Sequence, residues 1–154
     1  MTAPAAPAAP DFAALARRFD RAVRRTRRNA DAAAIHDLRV ATRRLGTLLQ
    51  LRRGVLEAGL RRRTRRQLRR LRRDVAAARD LQVLLPAVRA RRDSAPVPDA
   101  ALDVWVRELE QDVAAEVATA ARRCDAAPLA ELRGALRACG VALSRVPTRS
   151  ARRR

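Results

Sequence analysis

Lysine and tyrosine are absent from this chain, and aromatic residues make up only 2% of it: two phenylalanines and one tryptophan. A core must therefore be aliphatic, and there is no set of rings on which successive nucleic-acid bases could stack. Glycine is scarce, with five residues, and alanine is abundant, which favours helix. No stretch alternates with period two, so strands are not expected. The two cysteines, Cys124 and Cys139, lack metal-ligand spacing and a partner histidine. They read as small apolar core residues in a reducing compartment, and no metal or cofactor site is expected. No apolar run approaches the ~20 residues a membrane span needs. The opening "MTAPAAPAAP" lacks the basic and apolar regions of a signal peptide and reads as a disordered Ala/Pro arm over residues 1–10. The expected location is cytoplasmic.

Arginine is what the chain has in excess. All 35 basic residues are arginine, against 16 acids, for a net charge of +19. Nucleotide composition can turn lysine into arginine, but it does not set net charge. The excess is also uneven. Residues 1–92 hold 25 arginines against seven acids, or +18, whereas residues 93–154 hold 10 against nine, or +1. So polarised a field attracts polyanions: nucleic acid, an anionic membrane surface or a phosphate polymer.

The 154 residues suit one domain. Apolar spacing and capping residues predict helices at about 11–29, 31–56, 60–85, 99–124 and 128–145. Pro86 is expected to end or kink the third, which can resume to Arg92, and Gly59 to supply the turn before it. "DSAPVPDA" (93–100) reads as a loop and the basic tail 147–154 as mobile. The fold class is all-α, an antiparallel bundle of about four to five helices over residues 11–146.

On a wheel of 100° per residue, Ile35, Leu38, Leu45, Leu48, Leu49 and Leu56 form the buried face of the second helix. His36, Arg39, Arg43, Thr47 and Gln50 form a stripe along its edge. Guanidinium forks at such spacing suit phosphate oxygens, and a histidine there adds a hydrogen bond. On the third helix Leu60, Leu68, Leu71, Val75 and Ala78 face inward. Arg61, Arg65, Arg72 and Arg79 border that face, and Arg62, Arg69 and Arg73 form the adjacent row. Ten arginines and two acids within 61–80 repel one another by several tenths of a kcal/mol per unfavourable pair. A bound polyanion would offset that.

"IHDLRVATRRL" (35–45) resembles the signature of the CHAD domain, the conserved-histidine α-helical domain, through His36, Leu38, Arg39, Val40, Arg43, Arg44 and Leu45. "VAAARDLQV" (75–83) resembles that family's second motif, with Arg79 and Asp80 in its R-D places. Gly46 stands where the family usually has arginine, Ala76 replaces a glycine and Gln82 an aspartate. The resemblance covers about residues 12–92 well and the rest by architecture. It implies a helical bundle with a basic cavity for inorganic polyphosphate, often at polyphosphate granules. On that reading His36, Arg39 and Arg43 are phosphate ligands, and Arg44 is a further one. Arg65, Arg69, Arg72 and Arg79 supply a facing wall, with Arg73 beside them, and Asp80 orients an arginine. The family domain has two similar halves and this chain one, so a two-fold homodimer is expected to complete the arrangement.

The expected function is non-catalytic polyphosphate binding. The alternative is binding to the backbone of RNA or DNA, which the basic helices would suit but which lacks stacking aromatics. Catalysis is not expected, because neither a strand-built metal site nor a nucleophile–base arrangement can be defended.

Overall fold

The computed structural model describes residues 11–145, which form six helices. They are α1 (Phe12–Arg28), α2 (Ala32–Leu51), α3 (Ala58–Asp74), α4 (Ala76–Asp93), α5 (Ala100–Arg123) and α6 (Ala127–Ser144). Among the described residues there is no strand, so the class is all-α. The expected arm (1–10) and tail (147–154) lie outside the described residues.

Short acidic side chains start four of the helices, because the first backbone N–H groups of a helix have no partner within it. Asp11 accepts from the N–H of Ala13 and Ala14, Asp31 from Ala34, and Asp99 from Ala101 and Leu102. Glu57 caps α3 through the N–H groups of Gly59 and Leu60, and those bonds hold its carboxyl below the usual carboxylate range. Gly59 leaves room for the Glu57 carboxylate in this position. A Cβ there would stand 2.9 Å from a Glu57 carboxylate oxygen. Gly59 thus lies inside the first turn of α3 and not in the preceding loop, which spans residues 52–57.

Two other boundaries differ from expectation. α2 ends at Leu51, although Leu56 is buried as predicted. The long third helix breaks at Val75 and continues through Pro86. Val75 is held by its burial, with φ −108° and ψ 10°, and its N–H bonds the carbonyls of both Leu71 and Arg73. Pro86 sits on the exposed side of α4, where water can take the carbonyl its ring leaves unpaired. α3 and α4 therefore run as one bent rod, and counted as rods the helices number five.

The rod α3–α4 returns as α5–α6, with α3 against α6 and α4 against α5. The hairpin α1–α2 packs alongside this longer one. The main core joins Phe19, Ile35, Leu38, Leu45, Leu49, Leu68 and Leu132 from α1, α2, α3 and α6. Cys124 and Cys139 are free thiols within it. Burial pushes the Cys124 thiol up to about 11. Beyond the reach of α1 and α2, the far part of α4–α5 keeps a small core of its own: Leu85, Val88, Val106 and Leu109. None of the helices is long and apolar enough to cross a membrane.

Candidate functional site

α2 and α3 are joined by a short turn and lie antiparallel, so their edges meet along a seam. Two contacts fix its register. Near one end Gln50 of α2 accepts hydrogen bonds from Arg61 (3.1 Å) and Arg65 of α3. Toward the other, the Gln82 amide of α4 donates to the carbonyl of Ala30 at 3.0 Å. Between these ties lie, in order, Gly46, Arg43, Arg39 and His36 on one side and Arg65, Arg69, Arg72, Arg73 and Arg79 on the other.

Midway along the seam is a half-open recess of about 170 Å3, lined by Thr42, Arg43, Gly46, Arg65, Leu68, Arg69 and Arg72. Four of these seven residues are arginines, and none is acidic or aromatic. Leu68 forms the buried floor. Thr42 is buried too, and its hydroxyl donates to the Arg39 carbonyl at 2.8 Å. Gly46 leaves the space open, since nothing lies within 4 Å of where its Cβ would be. Gln50 turns two guanidiniums toward α2 without neutralising either, and the buried Nε of Arg61 has no hydrogen-bond partner. A recess this rich in cations, with no acid in its lining, can take an anion with several oxygens.

The family model of the CHAD domain matches residues 11–154. This chain belongs to the CHAD-domain family. The match takes in α5 and α6 as well, where the motifs alone reached only residue 92. No curated protein and no solved structure matches the chain. CHAD domains are associated in general with polyphosphate binding.

The expected CHAD site residues divide. Arg43, Arg65, Arg69 and Arg72 meet in the recess. Arg39 and Arg79 are half-buried and His36 and Arg73 exposed along the same seam, but none of these four lines the recess. Arg44 does not belong with them. It lines a separate groove of about 420 Å3 between α1 and α2, together with Asp11, Arg18, Thr47 and Leu51. The helical period explains this: Arg43 and Arg44 are 100° apart, so one meets α3 and the other α1. Thr47 follows Arg44 into that groove and leaves the stripe assigned to it. Asp80, expected to orient an arginine, is exposed and makes no ion pair within 4 Å among the described residues. Asp37, beside His36, instead pairs with Arg25 of α1 at 2.9 Å.

Sequence reasoning missed Thr42 and Gly46 as lining residues and the tie made by Gln50. The wheel puts Gly46 beside Arg39, but a residue without a side chain leaves no pattern. Gln82, taken as a lost aspartate, is instead a fastener between α4 and the α1–α2 loop.

Proposed function

We propose that this CHAD protein binds inorganic polyphosphate, without catalysis, in the basic seam between α2 and α3. The observation that carries the reading is the recess in which Arg43, Arg65, Arg69 and Arg72 converge with no carboxylate among them. Each guanidinium offers a planar fork to phosphate oxygens. A linear polymer seated there extends along the seam toward Arg39, Arg73, Arg79 and His36. The function is binding and not turnover, because the lining offers cationic donors and one hydroxyl that already donates to a carbonyl. Phosphate neutralisation releases counterions, so affinity falls steeply with salt, as it does for nucleic acid.

Nucleic-acid backbone is the competing ligand. Polyphosphate is favoured because none of the lining residues is aromatic, while the exposed Trp105 stands on the distant α4–α5 hairpin. Competition decides between them. Protein loaded with long-chain polyphosphate is challenged with RNA or DNA at equal phosphate concentration and physiological salt. Retention of polyphosphate is the expected result, and displacement by nucleic acid overturns the reading. A two-fold dimer that sets the same seam on both copies around one polymer, and association with polyphosphate granules, belong to the same proposal. Sedimentation with and without polymer tests the first, and imaging of tagged protein the second.

A further inference from the structure

α1 and α3 carry the same arginine pattern. Displaced by 45 positions, all seven arginines of α1, from Arg17 to Arg28, fall on arginines of α3, from Arg62 to Arg73. The inward residues correspond too: Phe19 and Val23 fall on Thr64 and Leu68, all buried. Both helices flank α2, α1 beside Arg44 and Leu48 and α3 beside Arg43 and Gly46.

In α1 the spacing puts Arg17, Arg21, Arg24 and Arg28 in one straight outward row, about 16 Å long at 1.5 Å per residue. All four are exposed. Ion pairs mark the two flanks of this row, through Arg25 and Arg27, although Arg18 on the α2 side also has no acid within 4 Å among the described residues. On the side of α2, Arg25 meets Asp31 at 3.7 Å and Asp37 at 2.9 Å. On the opposite side Arg27 reaches Asp125 at 3.4 Å, and Asp20 receives Arg133 of α6 at 2.9 Å. The acids around α1 are thus stationed on its two seams. Arg21, Arg24 and Arg28 have no acid within 4 Å among the described residues, and Arg17 has only the exposed Asp11 at 3.8 Å. Like charges three and four residues apart repel along an isolated helix, yet three of the four arginines of this row, and all of Arg62, Arg66, Arg69 and Arg73 in α3, have no acid within 4 Å among the described residues.

The two rows differ in their surroundings. Beside the α3 row, Arg65 and Arg72 close in to wall the recess. The matching positions of α1 are Asp20 and Arg27, which are tied to α6 and to Asp125. The α1 row is therefore an open track, suited to a flexible linear polyanion held by charge neutralisation and guanidinium forks.

We infer that the outward row of α1 is a second track for polyphosphate, so that one molecule holds two segments of polymer. The inference rests on the function proposed for the α2–α3 seam. Its consequence is bivalency: long chains bridge separate proteins, whereas short chains fill each track independently.

The test uses the full chain and polyphosphate of two lengths. In calorimetric titration with short chains the unaltered protein shows two events, one tight and one weaker and more salt-sensitive. R17Q/R21Q/R24Q/R28Q keeps the tight event within about twofold and loses the weak one. The same variant abolishes the light scattering that long chains induce in the unaltered protein. R43Q/R65Q/R69Q/R72Q keeps the weak event. Circular dichroism checks that the variants remain helical. A single event that survives the α1 substitutions overturns the second track and leaves the seam reading intact. A single event that the seam substitutions leave untouched overturns the seam reading instead. A second event seen with single-stranded nucleic acid and not with polyphosphate overturns the choice of ligand.

Discussion

The same residue type is used in opposite ways at the two ends of the α3–α4 rod. Along α3, Arg65, Arg69 and Arg72 face Arg43 across a recess with no acid in its lining. Along α4, Arg89 bonds Glu110 of α5 at 2.6 Å, and Arg92 bonds Asp93 at 2.8 Å and approaches Asp103 at 4.0 Å. The far hairpin supplies counter-ions to Arg89 and Arg92, while the seam arginines have no acid within 4 Å among the described residues. Arginine content alone does not mark a site. On the proposed function, what distinguishes the seam is arginine held by packing and by Gln50 around a recess with no acid in its lining. The two ends differ in support as well. The seam rests on the main core, whereas the tip of α4–α5 has four buried residues of its own.

The largest test of this contrast removes the seam's cations. The variant with Arg43, Arg65, Arg69 and Arg72 changed to glutamine loses about a thousandfold in polyphosphate affinity, taking roughly 1 kcal/mol per charge-assisted contact. Arg89→Gln with Arg92→Gln leaves affinity within about twofold. Calorimetry at physiological salt measures both, and equal losses would reduce the seam to diffuse charge. Next in size is the difference in support. Leu45→Ala in the main core lowers stability by about 3 kcal/mol, and Leu109→Ala at the hairpin by about 2 kcal/mol or less. Amides near Leu85–Leu109 exchange faster than those of α2 in native-state hydrogen exchange. Uniform protection would mean that the tip is no weaker than the bundle.

A smaller effect concerns pH. Burial raises the Cys124 thiol from 9.0 to about 11, so the folded state keeps its proton where the unfolded chain loses it. That stabilisation is fully present below pH 9 and is lost as pH rises toward 11, by on the order of 2 kcal/mol. Cys124→Ala flattens that decline in denaturant titrations, and an unchanged pH dependence counts against the buried thiol. The smallest effect sharpens the seam itself. A Cβ at Gly46 would meet nothing within 4 Å, so Gly46→Arg is accommodated at its root, adds a fifth guanidinium and raises polyphosphate affinity about fivefold, close to 1 kcal/mol. No gain would mean that the recess is not where the polymer lies.

Much of the fold was legible beforehand because its signals are local. Leu38, Leu45, Leu49, Leu68, Leu71, Leu132 and Leu136 were placed inward by period alone and are all buried. The division of the α3–α4 rod was legible too: Arg61, Arg65, Arg72 and Arg79 are half-buried, while Arg62, Arg69 and Arg73 are exposed. The break at Val75 was not. No glycine or proline marks it, and the proline that is present lies on an exposed side where helix continues. The separation of Arg44 from Arg43 was visible on the wheel, yet the motif grouped them. That Gly46 opens a recess has no local signal.

The sequence by itself determined the all-helical class, the inward face of most helices and a net charge of +19, because capping and a 3.6-residue period act within a turn or two of chain. Only tertiary structure decided which edge of α2 meets α3 and which meets α1. It thereby decided that Arg43 shares a recess with Arg65, Arg69 and Arg72 while Arg44 does not. The pairing of faces depends on contacts between residues far apart in the chain, and periodicity within one helix does not carry it.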